Sequence, residues 1–215
     1  MRLTDLSALR YRGPLEQSER NQVFLGLAVQ GRRILELGCA DGFISQYLVQ
    51  HGCSVTAVEI DSEAADRAKK WCDQVFICDL NDGAWIKMVG KGFDTVLCGD
   101  VLEHLTDPWT VLRQISSVVN QDGRVVISLP NVANIRVRLG LLAGKFDYEQ
   151  HGILDVTHLR FFTPSTAREL IEQAGYRISF SHPIVGGGFT RRIRLLLPGL
   201  FAVQMLFVAV PDGQR

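Results

Sequence analysis

The stretch RILELGCADGF, residues 33–43, is a short apolar run that ends at two glycines, Gly38 and Gly42, with an aspartate between them. In open α/β sheets, ligands bind at the carboxyl ends of the strands, and glycines there let a ligand approach the backbone closely. No Lys-Ser or Lys-Thr pair follows the second glycine, which excludes a P-loop. The dinucleotide fingerprint GxGxxG fits poorly, because Ile44 occupies the region where a third glycine is expected. The stretch therefore predicts the ligand-binding end of a first strand and leaves the ligand open.

Apolar runs alternate with stretches of helical spacing along the rest of the chain, as in α/β domains. We predict one domain over residues 1–215, in which residues 131–160 form an insertion over the ligand site. The predicted strands span residues 33–37, 54–60, 74–78, 93–99, 123–129, 176–182 and 201–210. Residues typical of helix starts and ends separate them: Asp61 or Ser62, Asp107-Pro108, Thr163-Pro164 and Gly175.

The composition excludes several classes of protein. Of the 215 residues, 47% are hydrophobic and 21% are charged, which suits a globular domain with a substantial core. Lys plus Arg and Asp plus Glu both total 23, so no global basic field favours a nucleic-acid partner. The five cysteines contain no CxxC pair, so neither a zinc site nor a disulfide framework is predicted. Because no signal peptide is recognisable at the start, these thiols predict a cytoplasmic protein.

The longest apolar stretch, residues 195–210, is interrupted by Pro198, Gly199 and Gln204. It is too short and too broken for a membrane span. A basic cluster precedes it and could touch a membrane surface, although an apolar terminal hairpin is the simpler interpretation. The cluster consists of Arg191, Arg192 and Arg194.

Five further runs follow the opening stretch in order. ELGCADG is followed by VTAVEID, CDL, FDTVLCGDVLEHLTDP and GRVVISLPN, and DVTHLRFFTPSTARELIEQAGY comes after them. The set resembles the successive motifs of class I S-adenosylmethionine-dependent methyltransferases over residues 33–131, and the last run extends the resemblance to residue 176. Ala40 departs from the pattern, because many members have glycine there. The resemblance implies a Rossmann-like, seven-stranded, mostly parallel sheet with helices on both faces and an antiparallel terminal strand.

The resemblance also implies a binding site for S-adenosylmethionine. Glu36 orders the glycine loop, Glu59 holds the ribose hydroxyls, and Asp79 accepts a hydrogen bond from the adenine amino group. The glycines pass under the methionine part of the cofactor. The alternatives without a ligand are turn glycines, a helix N-cap at Asp79 and a solvated strand end at Glu59. The implied cofactor-binding residues are Glu36, Gly38, Cys39, Ala40, Gly42, Glu59, Ile60, Asp79, Leu80, Cys98 and Gly99.

The run Asp100-Val101-Leu102-Glu103-His104 and the later His158 bear on the methyl acceptor. We predict His104 and His158 as catalytic residues, either as a base or as substrate contacts, and the bland alternative is that His104 caps the loop. The run is also similar to metal-assisted O-methyltransferases of ubiquinone biosynthesis and of small RNAs. That likeness implies the alternative of a divalent metal ion held by Asp100, Glu103, His104 and His158, with Asp100 standing where glutamate is usual.

Residues 131–160 are predicted to form the lid of the acceptor site. Its basic residues either meet an anionic group, such as the phosphate of a nucleotide sugar, or form a solvated face. Before the first helix, Tyr11 and Arg12 are candidates to close over the cofactor carboxylate. The tail resembles small bacterial enzymes of cell-surface sugar synthesis. The basic lid residues are Arg136, Arg138, Lys145 and His151.

Together these features predict an enzyme that transfers a methyl group from S-adenosylmethionine to a small molecule. The favoured acceptor is a hydroxyl of a sugar or another metabolite. Two alternatives remain: an NAD-dependent oxidoreductase, which has no use for Asp79, and a non-catalytic methyltransferase-like module that acts as a partner or regulator. Zero net charge speaks against an RNA substrate. The sequence leaves the oligomeric state open.

Overall fold

A computed structural model describes residues 19–185 and 195–213 of the chain. Its seven strands form one sheet in the order β3-β2-β1-β4-β5-β7-β6. Strand β7 runs antiparallel to both of its neighbours, while β1 to β5 pair in parallel. The predicted fold class is therefore confirmed. The strands are β1 Arg33–Leu37, β2 Ser54–Glu59, β3 Gln74–Ile77, β4 Phe93–Gly99, β5 Val119–Pro130, β6 Tyr176–Ile184 and β7 Gln204–Pro211.

Helices pack on both faces of this sheet because its central strands are apolar on both sides. Leu35 and Leu37 pack into a core with residues of α4, α5 and α7. Ile34, one position out of phase, packs with residues of α1 and α2 on the other face. The helices are α1 Glu19–Ala28, α2 Phe43–Gln50, α3 Ser62–Ala68, α4 Trp85–Val89, α5 Pro108–Ile115, α6 Ile135–Leu142, α7 Pro164–Gln173 and α8 Pro198–Phe201.

The predicted helix caps form as the sequence indicates. The Asp61 side chain accepts hydrogen bonds from the backbone N–H groups of Glu63 and Ala64, at 2.8 and 3.1 Å. Asp107 caps α5 with Pro108 in its first turn. Thr163 caps α7 through a reciprocal capping box. Each cap satisfies backbone donors that a helix start leaves unpaired, which fixes where the helix begins.

Two strands begin at a different residue from the prediction, and five strand ends differ by one or two residues. Strand β5 begins at Val119, earlier than predicted, because Val119 pairs with Phe93 across a register shift. Strand β7 begins at Gln204, later than predicted, because the preceding Pro198–Phe201 segment forms the short helix α8. Proline in the first turn favours that helix, since its missing N–H would be unpaired there in any case.

Residues 131–160 contain α6 and an irregular stretch joined by an isolated bridge between Glu149 and Asp155. Across residues 19–185 and 195–213, no helix combines the length and the apolar character needed to cross a membrane. All five cysteines are free thiols. The predicted contacts of Tyr11, Arg12 and the basic cluster at residues 191–194 lie outside the described residues.

Candidate cofactor and acceptor site

The loop after β1 adopts backbone conformations that glycine favours. Gly38, Ala40 and Gly42 all have left-handed φ angles, of 72°, 47° and 78°. A Cβ on Gly42 would lie 2.9 Å from the Cα atom of Ala68 in α3, and one on Gly38 would lie 2.9 Å from a methyl of Val101. The two glycines are therefore required by packing as well as by φ. Ala40 holds its left-handed conformation without that freedom, at a cost of about 1–2 kcal/mol for an L-residue.

Glu36 lies beneath this loop and is only 3% exposed. Its carboxyl group accepts a hydrogen bond from the Ser45 hydroxyl of α2. Burial, and then the nearby Glu59 charge, raise the pKa of Glu36 to about 8, against the lowering effect of the Ser45 bond. Glu36 therefore carries its proton at neutral pH and joins β1 to α2 as a neutral acid.

Glu59, at the end of β2, connects the glycine loop to the next turn. One of its carboxylate oxygens accepts from the Ala40 N–H at 2.8 Å. The other accepts from the N–H groups of Ile60 and Asp61, at 2.9 and 3.0 Å. The side chain is 8% exposed, so Glu59 is a structural acceptor rather than a solvated strand end. The bond from Ala40 supports the left-handed conformation of that residue, and the other two hold the turn after β2.

A cavity of about 530 Å³ opens at the carboxyl ends of β1, β2 and β3. Asp79 borders it and also caps a short 3-10 helix, because its Oδ1 atom accepts from the backbone and side-chain amides of Asn81, at 2.8 and 2.9 Å. The N-cap alternative and a cofactor contact are therefore compatible at this residue. The predicted cofactor residues that line the cavity are Gly38, Ala40, Glu59, Ile60, Asp79 and Leu80.

The remaining predicted cofactor residues lie elsewhere. Gly99 lines a second cavity next to the first. Cys39 and Cys98 are 4% and 0% exposed, and burial raises the pKa of both thiols. They stay protonated and serve as packing groups, so only their backbone can face a ligand. Glu36 lies beneath the loop, and Gly42 ends the loop where it packs against α3.

The second cavity, of about 440 Å³, adjoins the first and shares Gly38, Ala40, Asp100 and His104 with it. Its other wall comes from the end of β5, the start of β7 and the irregular part of residues 131–160. His151 is the one basic lid residue of the prediction that lines it. The lid residues Arg136, Arg138 and Lys145 do not line it, and all four basic residues are exposed.

The two predicted catalytic histidines lie together in the second cavity. His104 ends a short 3-10 helix, Leu102–His104, after β4, and its ring centroid is 4.8 Å from that of His158. The backbone N–H groups of residues 159 and 160 donate to the Glu103 carbonyl, which ties the His158 loop to β4. Glu103 is 1% exposed, and its Oε1 atom is 3.9 Å from the Nε2 atom of His158. One ligand atom from each of Glu103, His104 and His158 lies within 4.8 Å of the others.

Asp100 belongs to a different group. It has a left-handed φ of 55° and pairs with Arg20 of α1. Its carboxylate also accepts from Ser128 at 2.7 Å and from the Gln204 amide. Within the described residues, the cluster that could hold a metal ion therefore contains three of the four residues of the predicted metal site, and Asp100 is not among them.

The chain matches a known protein family over most of its length. The model of the family described as "Methyltransferase domain" matches residues 10–179. The chain belongs to the class I S-adenosylmethionine-dependent methyltransferases. This membership favours the methyltransferase hypothesis over the oxidoreductase alternative.

Two curated relatives of this methyltransferase are ubiquinone biosynthesis O-methyltransferases. The protein of Coxiella burnetii is 26% identical over 157 residues, and that of Aeromonas salmonicida is 30% identical over 151 residues. The aligned stretches cover 71% and 67% of this chain, and 66% and 63% of those proteins. The chain thus spans slightly less than two thirds of the length of these relatives.

Solved methyltransferase structures share the fold. A SAM-dependent methyltransferase from Archaeoglobus fulgidus has a TM-score of 0.68 at 19% identity, covering 97% of this chain and 99% of its own. The N-methyltransferase NodS from Bradyrhizobium japonicum, in complex with S-adenosyl-L-homocysteine, has a TM-score of 0.63 at 18% identity, covering 94% and 90%. At these identities the likeness shows the fold alone.

Sequence reasoning missed three polar residues of the second cavity, Arg20, Asp155 and Gln204. Arg20 starts an otherwise ordinary helix, and its partner Asp100 is 80 positions away. Gln204 did carry a signal, because it interrupts the apolar run before β7. A polar residue inside an apolar strand indicates a buried partner or a site.

Proposed function

We propose that this protein transfers the methyl group of S-adenosylmethionine to a hydroxyl oxygen of a small molecule bound in the second cavity. The observation that supports this most is the junction of the two cavities. They share Gly38, Ala40, Asp100 and His104, and the two histidines border the second cavity from the same side. A cofactor in the first cavity would present its methyl group at that junction.

The first cavity has the chemistry for the cofactor. Glu59 is positioned at the end of β2, where a carboxylate can accept from a ribose diol, and Asp79 stands at the end of β3 on the same cavity. The glycine loop leaves the backbone accessible between them. We propose the residues predicted from the sequence as the cofactor contacts, with Glu36, Cys39, Gly42 and Cys98 acting through the loop and backbone that they support.

The reaction forms one O–C bond and breaks one S–C bond. A lone pair of the acceptor oxygen attacks the methyl carbon, and the bonding pair returns to sulfur, which leaves as neutral S-adenosylhomocysteine. The hydroxyl proton passes to a base, for which we propose His104. We propose that the neighbouring His158 contacts the methyl acceptor. Holding both reactants in line supplies most of the acceleration, and a base contributes roughly 10²–10⁴-fold where the acceptor is a weak acid.

The size of the second cavity and the curated relatives indicate the class of methyl acceptor. A cavity of about 440 Å³ suits a metabolite rather than a macromolecule. The curated relatives are named as O-methyltransferases of ubiquinone biosynthesis, which favours a hydroxyl acceptor. We propose a hydroxylated metabolite, with a sugar as one candidate, and residues 131–160 as the lid over it. The zero net charge and the free thiols agree with a small-molecule substrate and a cytoplasmic location.

A divalent ion is the second candidate for activating that hydroxyl. Glu103, His104 and His158 form a mixed oxygen and nitrogen set, which suits Zn²⁺ or Mn²⁺ better than Mg²⁺. A bound ion would lower the pKa of the acceptor hydroxyl. Dialysis against a chelator tests this: loss of transfer that the ion restores supports a metal, and activity that ignores chelation removes it from the mechanism.

The direct test of the base uses His104→Ala and His158→Ala, with His51→Ala as the matched control. His51 is exposed at the end of α2, away from both cavities. Transfer from labelled S-adenosylmethionine to a catechol and to a nucleotide sugar is measured beside S-adenosylhomocysteine affinity. We expect turnover to fall roughly 100-fold or more in the site variants, with cofactor affinity unchanged. Full activity in both site variants contradicts the proposed base.

A further inference from the structure

A chain of three side chains leads from a buried carboxylate to the His104 ring. Asp155 is 4% exposed, and its Oδ1 atom accepts from the Thr157 hydroxyl at 2.5 Å. The same Thr157 oxygen lies 3.1 Å from the Nδ1 atom of His104. His104 borders both cavities, so this chain ends at the junction where the methyl group would move.

The partners of His104 determine which ring nitrogen carries the hydrogen. Its Nδ1 atom also lies 3.1 Å from the Thr157 backbone carbonyl oxygen, which can only accept a hydrogen bond. The Thr157 hydroxyl gives its own hydrogen to Asp155, so it too accepts from the ring. Both contacts therefore require a hydrogen on Nδ1, and in the neutral ring the lone pair is on Nε2.

We propose that Asp155 and Thr157 are positioning residues that hold His104 in its Nδ1-protonated form, so that Nε2 receives the hydroxyl proton of the acceptor. This inference rests on the proposed function. When the O–C bond forms and the S–C bond breaks, the released proton makes His104 an imidazolium. The Asp155 carboxylate then faces a cation through Thr157, which stabilises the charge that develops during the step.

The Nδ1 atom of His158 has a different contact. That atom contacts the backbone carbonyl of Ile153 at 3.1 Å. The contrast separates the two histidines: the Nδ1 atom of His104 faces a hydroxyl that is bonded to a carboxylate, whereas the Nδ1 atom of His158 faces the Ile153 carbonyl. It also supplies the internal control, because substitutions at Thr157 should affect the two rings differently.

A purely local role for Asp155 is the competing explanation. The Thr157 N–H donates to the Asp155 carboxylate at 2.8 Å, and the His158 N–H donates to the Asp155 carbonyl at 3.0 Å, as in an ordinary turn. A turn residue would change stability but not the chemistry of a neighbouring ring. The test therefore needs a readout on the ring itself and one on turnover.

Three variants separate the contributions. Thr157→Val keeps the shape and removes the hydroxyl, Thr157→Ser restores it, and Asp155→Asn keeps an acceptor oxygen while removing the charge. We expect Thr157→Val and Asp155→Asn to lower kcat roughly 10- to 100-fold with KM and S-adenosylhomocysteine affinity little changed. Thr157→Ser should recover most of the rate. Unchanged kcat in Thr157→Val, or no recovery in Thr157→Ser, overturns the proposal.

The position of the hydrogen on the His104 ring is measured by ¹⁵N–¹H correlation spectra of the imidazoles of the full chain at pH 8. The His104 signals are assigned with a His104→Asn variant. These spectra need no acceptor, so they remain decisive even if no substrate is methylated and the proposed function fails. We expect wild-type His104 to be protonated on Nδ1, with the Nδ1–H signal broadened in Thr157→Val and that of His158 unchanged. A wild-type His104 protonated on Nε2 overturns the proposal whatever the activity. If Thr157→Val does not fold, Asp155→Asn carries the same kcat test.

Discussion

Replacing Glu59 by glutamine tests the account of the glycine loop most sharply. The carboxylate accepts three backbone hydrogen bonds, from Ala40 on one oxygen and from Ile60 and Asp61 on the other. Glutamine offers one oxygen and one NH₂ group. In its better orientation the oxygen keeps the two turn N–H groups, and the NH₂ group faces the Ala40 N–H, which loses its acceptor.

The magnitude follows from that loss. A hydrogen bond to a charged group contributes about 1.5–3 kcal/mol, and an unsatisfied buried donor adds to the cost. Because Glu59 is only 8% exposed, solvent screens little of this. We expect the free energy of unfolding to fall by about 2–3 kcal/mol in Glu59→Gln, measured by urea unfolding without ligand. The affinity for S-adenosylhomocysteine should fall at least roughly tenfold, because a loss of about 1.4 kcal/mol in binding free energy corresponds to a tenfold change in affinity.

The matched control is Glu172→Gln in α7, at an exposed residue that lines neither cavity. We expect its free energy of unfolding to change by no more than about 0.5 kcal/mol, as for most exposed surface positions. The reasoning is refuted if Glu59→Gln is as stable as the wild type and binds S-adenosylhomocysteine equally well.

Three further predictions concern stability. Because the pKa of Glu36 is raised from 4.5 to about 8, the folded state keeps a proton that the unfolded chain releases, so stability falls as pH rises through this window. Glu36→Gln should remove that pH dependence. At pH 8 its free energy of unfolding should exceed that of the wild type by on the order of 3 kcal/mol, with little difference at pH 4.5. Parallel curves of unfolding free energy against pH for the two proteins would refute this prediction. Gly42→Ala should lower the free energy of unfolding in urea more than Gly52→Ala does. Both glycines have φ near 80°, but only a Cβ at position 42 would lie 2.9 Å from the α3 backbone. Equal losses of stability would show that packing is irrelevant. Tyr176→Phe should lose about 1 kcal/mol by removing the 3.0 Å hydrogen bond to the Leu112 carbonyl, while S-adenosylhomocysteine affinity stays unchanged; altered affinity would contradict this.

The sheet was predictable because its signals are local. Leu35 and Leu37 alternate with Ile34 between the two faces, and caps such as Asp61 follow from side chains next to the helix start. The cavity walls combine distant positions. The site therefore depends on the strand order, which brings the ends of β1 and β4 together.

The contacts that refine the site could not be predicted from spacing. The Gln204 contact to Asp100 joins positions 104 apart, and no local pattern specifies it. Asp100 has a left-handed φ of 55°, which aspartate adopts more readily than most residues but which no local pattern requires at this position. The relay from Asp155 to His104 likewise joins a lid loop to the end of β4, and only the fold brings these two together.

The measurement that tests the central claim most directly is a calorimetric titration of the full chain with S-adenosylhomocysteine, with NAD⁺ as the parallel ligand. The account predicts micromolar binding of S-adenosylhomocysteine, no binding of NAD⁺, and binding weakened in Glu59→Gln but not in Glu172→Gln. Absence of S-adenosylhomocysteine binding in the presence and absence of divalent metal would contradict it, and would favour a non-catalytic module built on this fold.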